Sequence, residues 1–379
     1  MSLDQQVEAV VRPVADTLSR LVFYPLELFG QDFPLIVLWL ATAAVFFTLY
    51  LGFVNVRGFS LGLRHVRGRF HNPRARGEIS HFQAVSGTVG IGNIGGVAVA
   101  ITIGGPGAAL WLMVAGFLSM STKLVECTLG VKYRRNNPDG SVSGGPMFYL
   151  ERYFSDRGAP GWGRVMGGFY AIALVIGCFG IGNMFQSNQA YVQFLVISGG
   201  EDSFFAARGW LFGLLIATAV ALVIIGGIRS IALVASRIVP LMAVLYVVSA
   251  LVIIGFSAAQ IPAAVQLIVS SAFSMNSVTG GMVGAIVVGF QRALFSNEAG
   301  IGSASIAHSA VQTNEPASEG LVGLLEPFLD TVVICTLSSL VIVTVAYPNG
   351  LVEQGFEGIA LTSAAFAHHI SWAPYPLAF

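Results

Sequence analysis

Three features of this 379-residue sequence predict an all-α polytopic membrane protein built around two interrupted helices. The chain is 55% hydrophobic and only 10% charged, with a mean hydropathy of +0.77, whereas a soluble domain carries about 25% charged residues. Apolar windows of about 20 residues, the length that spans a bilayer, recur along its length. Glycine clusters fall inside two of these windows, most densely in Val85-Ser-Gly-Thr-Val-Gly-Ile-Gly-Asn-Ile-Gly-Gly96. Glycine is a poor helix former, and lipid offers no hydrogen bonds, so unwound backbone persists at that depth only where it lines a buried site. The freed carbonyl and N–H groups of Ser86 to Asn93 suit an ion and a small zwitterion, as in a transporter.

Each element follows in order. Residues 1–32 mix Asp4, Glu8 and Asp16 with apolar residues at helical spacing and read as an amphipathic surface segment without a secretory signal. An extra transmembrane helix is expected over 33–56. The second span, His81 to Ile103, holds the glycine cluster, and Gly107 to Val131 is interrupted by Lys123 and Glu126. Trp162 to Ile197 is long enough to tilt. Trp210 to Ile228 and Ile231 to Phe256 follow, with a turn at Gly226 to Ser230 between them. After an external segment (258–279) come Gly280 to Val311, carrying Arg292 and Glu298, and Gly320 to Tyr347, which makes eight spans.

Arginine sets the orientation. The segment from Arg57 to Arg76, the loop from Lys132 to Arg164, and Arg229 with Arg237 hold fourteen of the nineteen Lys and Arg residues. Alternation of the spans places all three on one face, which the positive-inside rule assigns to the cytoplasm. The N-terminus is then outside. The two glycine-bearing spans enter from opposite faces, the mark of an inverted repeat. A first repeat over 82–257 contains five spans, so a second one beginning at residue 280 is expected to be incomplete within 280–379.

Six blocks carry a resemblance to a known family. They are Ser86 to Gly96, Gly104-Gly-Pro-Gly-Ala-Ala-Leu-Trp111, Lys123 to Arg134, Gly144-Gly-Pro-Met-Phe-Tyr149, Phe295-Ser-Asn-Glu-Ala-Gly-Ile-Gly-Ser303, and Glu326 to Thr336. In this order they resemble the alanine or glycine:cation symporters, the sodium:alanine symporter family. The resemblance implies a LeuT-type inverted five-helix repeat with broken first and sixth core helices and one extra helix in front. It also implies alternating-access symport of a small neutral amino acid, alanine or glycine, with sodium as the coupling ion, in the cytoplasmic membrane. The eighth core helix, which in that architecture contributes to a sodium site and the substrate pocket, is not identified in this sequence.

On that resemblance, Thr88 and Asn93 offer side-chain oxygens to sodium, with the Ser86 and Val89 carbonyls beside them; a hard cation favours such ligands. The substrate carboxylate is expected at the N–H groups of Gly90 to Gly92, where a helix start favours negative charge. Thr88, Ser296 and Asn297 complete the polar contacts. Phe179, Asn183 and Gln186 share a helical face, either as a pocket wall or as interhelical glue.

Ionisable residues inside a span need partners. Lys123 and Glu126, at i,i+3, are expected to neutralise each other. Arg292 is expected to meet Glu298, Glu126, Glu326 or Asp330. Glu326 and Asp330, one turn apart, read as a relay or as partners of Arg292 or Lys123. Cys127, Cys178 and Cys335 read as small hydrophobes, and adjacent His368 and His369 diverge on a helix, which disfavours a metal.

The composition excludes other classes. A formal net charge of +0 supplies no basic field for nucleic acid. Gly90-x-Gly-x-x-Gly95 lacks the preceding strand of a dinucleotide site. No His-Glu-x-x-His occurs, and no enzyme is expected. Membrane lipid and the amino acid are the expected partners, with no obligate protein partner. The competing readings are a proton-coupled transporter of the same fold and an inactive remnant.

Overall fold

Apolar runs punctuated by glycine and proline fold this chain almost wholly into helices. The computed structural model describes residues 3–28, 31–70, 75–87, 90–274, 281–356 and 358–378. Helix α1 (Leu3–Val22) precedes an antiparallel pair, β1 (Pro25–Leu28) and β2 (Gln31–Pro34). The uniformly apolar α2 (Leu35–Tyr50) ends where Gly52 and Phe53 both take left-handed backbone, and the short helices α3 (Val54–Arg57) and α4 (Phe59–Val66) follow.

The glycine cluster interrupts the next span. Helix α5 (His81–Val85) opens on a capping box in which Ser80 and Gln83 exchange backbone and side-chain hydrogen bonds. A single 3₁₀ turn, Ile91–Asn93, then leads into α6 (Gly95–Gly104). The 26-residue α7 (Gly107–Lys132) runs unbroken to the pair β3 (Arg135–Asn136) and β4 (Val142–Ser143). Helix α8 (Pro146–Asp156) precedes one continuous 39-residue run from Pro160 to Ser198. Within that run, α9 (Pro160–Gly177) and α10 (Phe185–Ser198) flank wide π-helical turns at Cys178–Met184.

Helices α11 (Gly209–Ile224), α12 (Gly227–Phe256) and α13 (Ile261–Ala272) come next. The reversal between α11 and α12 is tighter than the expected Gly226–Ser230 turn. Ile225 and Gly226 make the turn and Gly227, at φ +67, opens α12, so Arg229 and Ser230 already lie in that helix. The second glycine-bearing span is also broken: α14 (Gly281–Asn297) stops, and α15 (Ser303–Ser309) resumes after five residues. The 31-residue run Pro316–Ala346 comprises α16 (Pro316–Gly323), α17 (Leu325–Pro327), π turns at Phe328–Ile334, α18 (Cys335–Val341) and π turns at Ile342–Ala346. Helices α19 (Gly358–His369) and α20 (Pro374–Ala378) follow.

Four helical runs among the described residues are long and apolar enough to cross a membrane, and four shorter apolar helices accompany them. This is a multi-pass membrane protein. Helix α7 is the central post, contacting α2, α13, α14, α15 and α16. Small residues allow that closeness: a Cβ on Gly289 would sit 2.7 Å from Cβ of Trp111. Polar side chains are satisfied between helices, as lipid demands. Thr48 Oγ1 lies 2.8 Å from Ser121 Oγ, and Asn55 Nδ2 donates to the Phe117 carbonyl at 2.7 Å. The α9 to α10 run instead leaves Trp162, Phe169 and Phe179 outward and exposed, as a lipid-facing surface would be.

Candidate ion and substrate site

The two breaks meet at the centre of the molecule. At the first, Ser86 is buried, and its hydroxyl donates to the Phe82 carbonyl of its own helix at 2.7 Å. Thr88 and Val89, both expected ion ligands, lie outside the described residues. Asn93 is fully enclosed. Its backbone carbonyl accepts from Ser338 Oγ at 2.8 Å, and its side-chain Nδ2 donates to the Asp330 carbonyl at 3.3 Å.

At the second break, Asn297 ends α14 and Glu298 adopts φ 53, strained backbone for a residue with a Cβ. Gly300 and Gly302, both at φ +89, complete the turn. The Asn297 side chain ties the break to the following span. Its Oδ1 accepts from the Ala299 N–H at 3.0 Å, and its Nδ2 donates to Thr331 Oγ1 at 3.1 Å. Both ends of the amide are therefore engaged, which leaves Ser296 as the polar side chain turned toward the first break.

Ser296 is the joint between them. Its Oγ lies 3.0 Å from Asn93 Oδ1 and 2.7 Å from Asp330 Oδ2. Thr331 Oγ1 donates to the same Asp330 oxygen at 2.9 Å. Asp330 is completely buried, and among the described residues its other oxygen, Oδ1, has no hydrogen-bond partner. A buried carboxylate oxygen without a donor is costly unless a cation or proton meets it. Asn93, Ser296 and Asp330 thus concentrate oxygens of the kind a hard cation favours.

Gly90 and Gly92 adjoin this cluster. A Cβ on Gly90 would lie 3.8 Å from Gln186 Nε2, and one on Gly92 would lie 3.7 Å from Ser296 Cα. Phe295 also faces Gly92 and packs edge-on against Phe185 at 5.0 Å. Gln186, Asn183 and Phe179 line one groove of about 730 Å³ with Ile91 and the α11 residues Ile216 and Val220. Phe179 remains 65% exposed there, like Phe169 and Ile172 on the same run.

The charged residues pair differently from the expectation. Lys123 does not form its ion pair with Glu126. Its Nζ lies 3.2 Å from Glu326 Oε2 and donates to the Asn297 carbonyl at 2.7 Å, because α17 and the end of α14 both pack on α7. Glu126 turns instead to the Gly300 N–H, 3.3 Å from both of its oxygens. Among the described residues Arg292 has no carboxylate partner, and its guanidinium sits 6.0 Å from the Phe295 ring centre. Glu298 accepts from Ser303 Oγ. Glu326 and Asp330 face different neighbours, since the π turns that begin at Phe328 break the i,i+4 alignment.

Several participants escaped the sequence reading. Ser338, Thr331, Phe185, His81, His308, Glu319 and Arg134 all contribute to the region. The available signal was polarity inside an apolar span, which Ser338, Thr331 and His308 carry. A second cavity, about 230 Å³, is lined by Ala84, Lys123, Ser296, Asn297, His308 and Glu326 among others.

Comparison with known proteins agrees with these motifs. A profile described as the sodium:alanine symporter family matches residues 19–379. The sodium/alanine symporter AgcS of Methanococcus maripaludis is 38% identical over 341 residues, covering 88% of this chain and 72% of the relative. The probable sodium/glutamine symporter GlnT of Bacillus subtilis is 33% identical over 345 residues, covering 89% and 68%. The amino-acid carrier protein AlsT of the same organism is 34% identical over 338 residues, covering 87% and 67%. With its two broken helices meeting at Asn93 and Ser296, this chain belongs to the sodium:alanine symporter family.

Proposed function

We propose that the chain catalyses sodium-coupled symport of a small neutral amino acid, alanine or glycine, by alternating access across the cytoplasmic membrane. The observation that carries this reading is the oxygen of buried Asp330 that has no hydrogen-bond partner among the described residues, beside Asn93 and Ser296. Sodium binds there, with Asn93 Oδ1, Asp330 Oδ1 and the Ser86, Thr88 and Val89 region of the first break as its ligands. The amino acid lies beside it, with its carboxylate at Gly90 to Gly92 and with Gln186, Phe185 and Phe295 as walls. Adjacent opposite charges make joint occupancy more favourable than either alone, which is the coupling.

A LeuT-type arrangement fits this use of the breaks, with α5/α6 as the first core helix and α14/α15 as the sixth. In this reading 82–257 is one repeat and 280–379 the beginning of its inverted partner, after the amphipathic segment 1–32 and the extra helix 33–56. The arginine-rich face is cytoplasmic and the N-terminus outside. AgcS is named for alanine and GlnT for glutamine, so substrate size is the open axis.

The test is uptake of radiolabelled alanine, glycine and glutamine into proteoliposomes under an inward sodium gradient, then with potassium in its place. Sodium-dependent uptake of alanine or glycine, lost in Asn93→Ala, is the expected result. Equal uptake in potassium overturns the ion assignment, and glutamine preferred over both smaller substrates overturns the substrate assignment.

A further inference from the structure

A second polar cluster lies beside the ion site and is not used by it. Glu319, at the start of the Pro316–Ala346 run, receives the Nδ1 atoms of His81 and His308 on its two oxygens, both at 2.5 Å. His308 presents its other nitrogen, Nε2, to Glu326 Oε1 at 2.7 Å. Glu326 continues to Lys123, and Lys123 to the Asn297 carbonyl where α14 breaks. All five side chains are buried.

The geometry counts protons. A neutral imidazole carries one N–H, and a carboxylate carries none. His308 meets a carboxylate at each ring nitrogen, so its two hydrogen bonds require two protons between Glu319, His308 and Glu326. That is one more than a neutral ring between two ionised carboxylates supplies. The extra proton is part of this arrangement of helices.

The cluster also joins parts of the molecule that alternating access must separate. His81 rides on α5, the end of the first broken helix that follows the arginine-rich segment 57–76; His308, Glu319 and Glu326 ride on α15, α16 and α17. Backbone bonds reinforce the join, since Glu78 N–H donates to the Ala310 carbonyl and Gln312 N–H to that of Ile79. Arg134 closes the same seam by donating to the carbonyls of Arg76, Ser309, Val311 and Thr313. The 230 Å³ cavity lies between Ala84 and Gly87 on one side and His308 and Glu326 on the other. An imidazole exposed to water is mostly neutral at pH 7, its ordinary pKa being about 6.5.

We propose that His308, held between Glu319 and Glu326, is a proton-loaded latch. The protein takes up one proton as the ends of the two broken helices on the arginine-rich face close, and releases it to water on that face as they part. The titratable groups around it are His81 with half-buried His65 behind it, Lys123, Glu126, Cys127, Arg134, Glu298 and Asp330. The proposal rests on the symport reading, because sodium and the amino acid are what drive closure.

Calorimetry of alanine or glycine binding to sodium-saturated protein, in two buffers of different ionisation enthalpy, tests it. Wild type is expected to take up about one proton per amino acid bound, and His308→Gln, which cannot titrate, close to none. Glu319→Gln is the second variant, with the same expected loss. Amino acid binding without proton uptake in wild type overturns the latch and leaves symport standing. An unchanged proton number in either folded variant also overturns it. Failure of folded wild type to bind either amino acid overturns the symport reading and the latch together.

Discussion

Ser296 reaches Asp330 Oδ2 at 2.7 Å from the residue just before the second helix break. One hydroxyl thereby links α14 to the span that follows it, and the same oxygen lies 3.0 Å from Asn93 on the first break. A carboxylate held in this way directs its remaining oxygen to a third partner. Asp330→Asn removes the formal negative charge of that cluster, and Asn93→Ala removes an oxygen outright. Each is expected to weaken the apparent sodium affinity about 10- to 100-fold, the scale for loss of a supporting ligand. The sodium dependence of alanine uptake measures it; unchanged dependence in both variants would remove these residues from the ion site.

Gln186 is the nearest side chain to Gly90. If it holds a charged end of the amino acid, its loss costs about 1.5–3 kcal/mol, or about 10- to 100-fold in apparent affinity. Gln186→Ala should therefore raise the KM for alanine while sodium affinity in the absence of substrate stays near wild type. A parallel loss of sodium binding would point to a folding role for Gln186 instead.

Gly289 allows α14 to lie against α7. A Cβ there would stand 2.7 Å from Trp111 Cβ and 2.8 Å from the Ala108 carbonyl. Gly289→Ala is expected to destabilise by about 1–3 kcal/mol through overpacking, seen as a lower melting temperature in detergent. Gly96→Ala is the control, because its Cβ meets nothing within 4 Å, and no loss of stability is expected.

Arg134 satisfies four backbone carbonyls with two guanidinium nitrogens. Lysine presents a single ammonium on a flexible stem and cannot reproduce that fork. Arg134→Lys should thus destabilise by about 1.5 kcal/mol or more, since a lost bond to a charged donor is worth about 1.5–3 kcal/mol. Thermal melting and protease sensitivity between Arg76 and Thr313 report it, and wild-type behaviour of the lysine variant would refute the clasp.

The helical architecture was legible because lipid imposes it. Apolar length marks the spans, and glycine-rich stretches with Asn93 and Asn297 marked both breaks before any contact was known. Ion pairing was not legible. Lys123 had Glu126 one turn away in sequence and chose Glu326, because α17 packs across α7. Asp330 and Glu326 shared a face on an ordinary helix, and the π turns that begin at Phe328 parted them.

Sequence alone determined that this chain spans a membrane, where its helices break, and which family its motifs resemble, since each of these follows from local composition and order. Only the tertiary structure decided that Asn93, Ser296 and Asp330 converge, that Asn297 is used up between Ala299 and Thr331, and that His308 stands between two carboxylates. Those contacts join residues up to 237 positions apart, and a buried polar group takes its partner from whichever helix packs beside it.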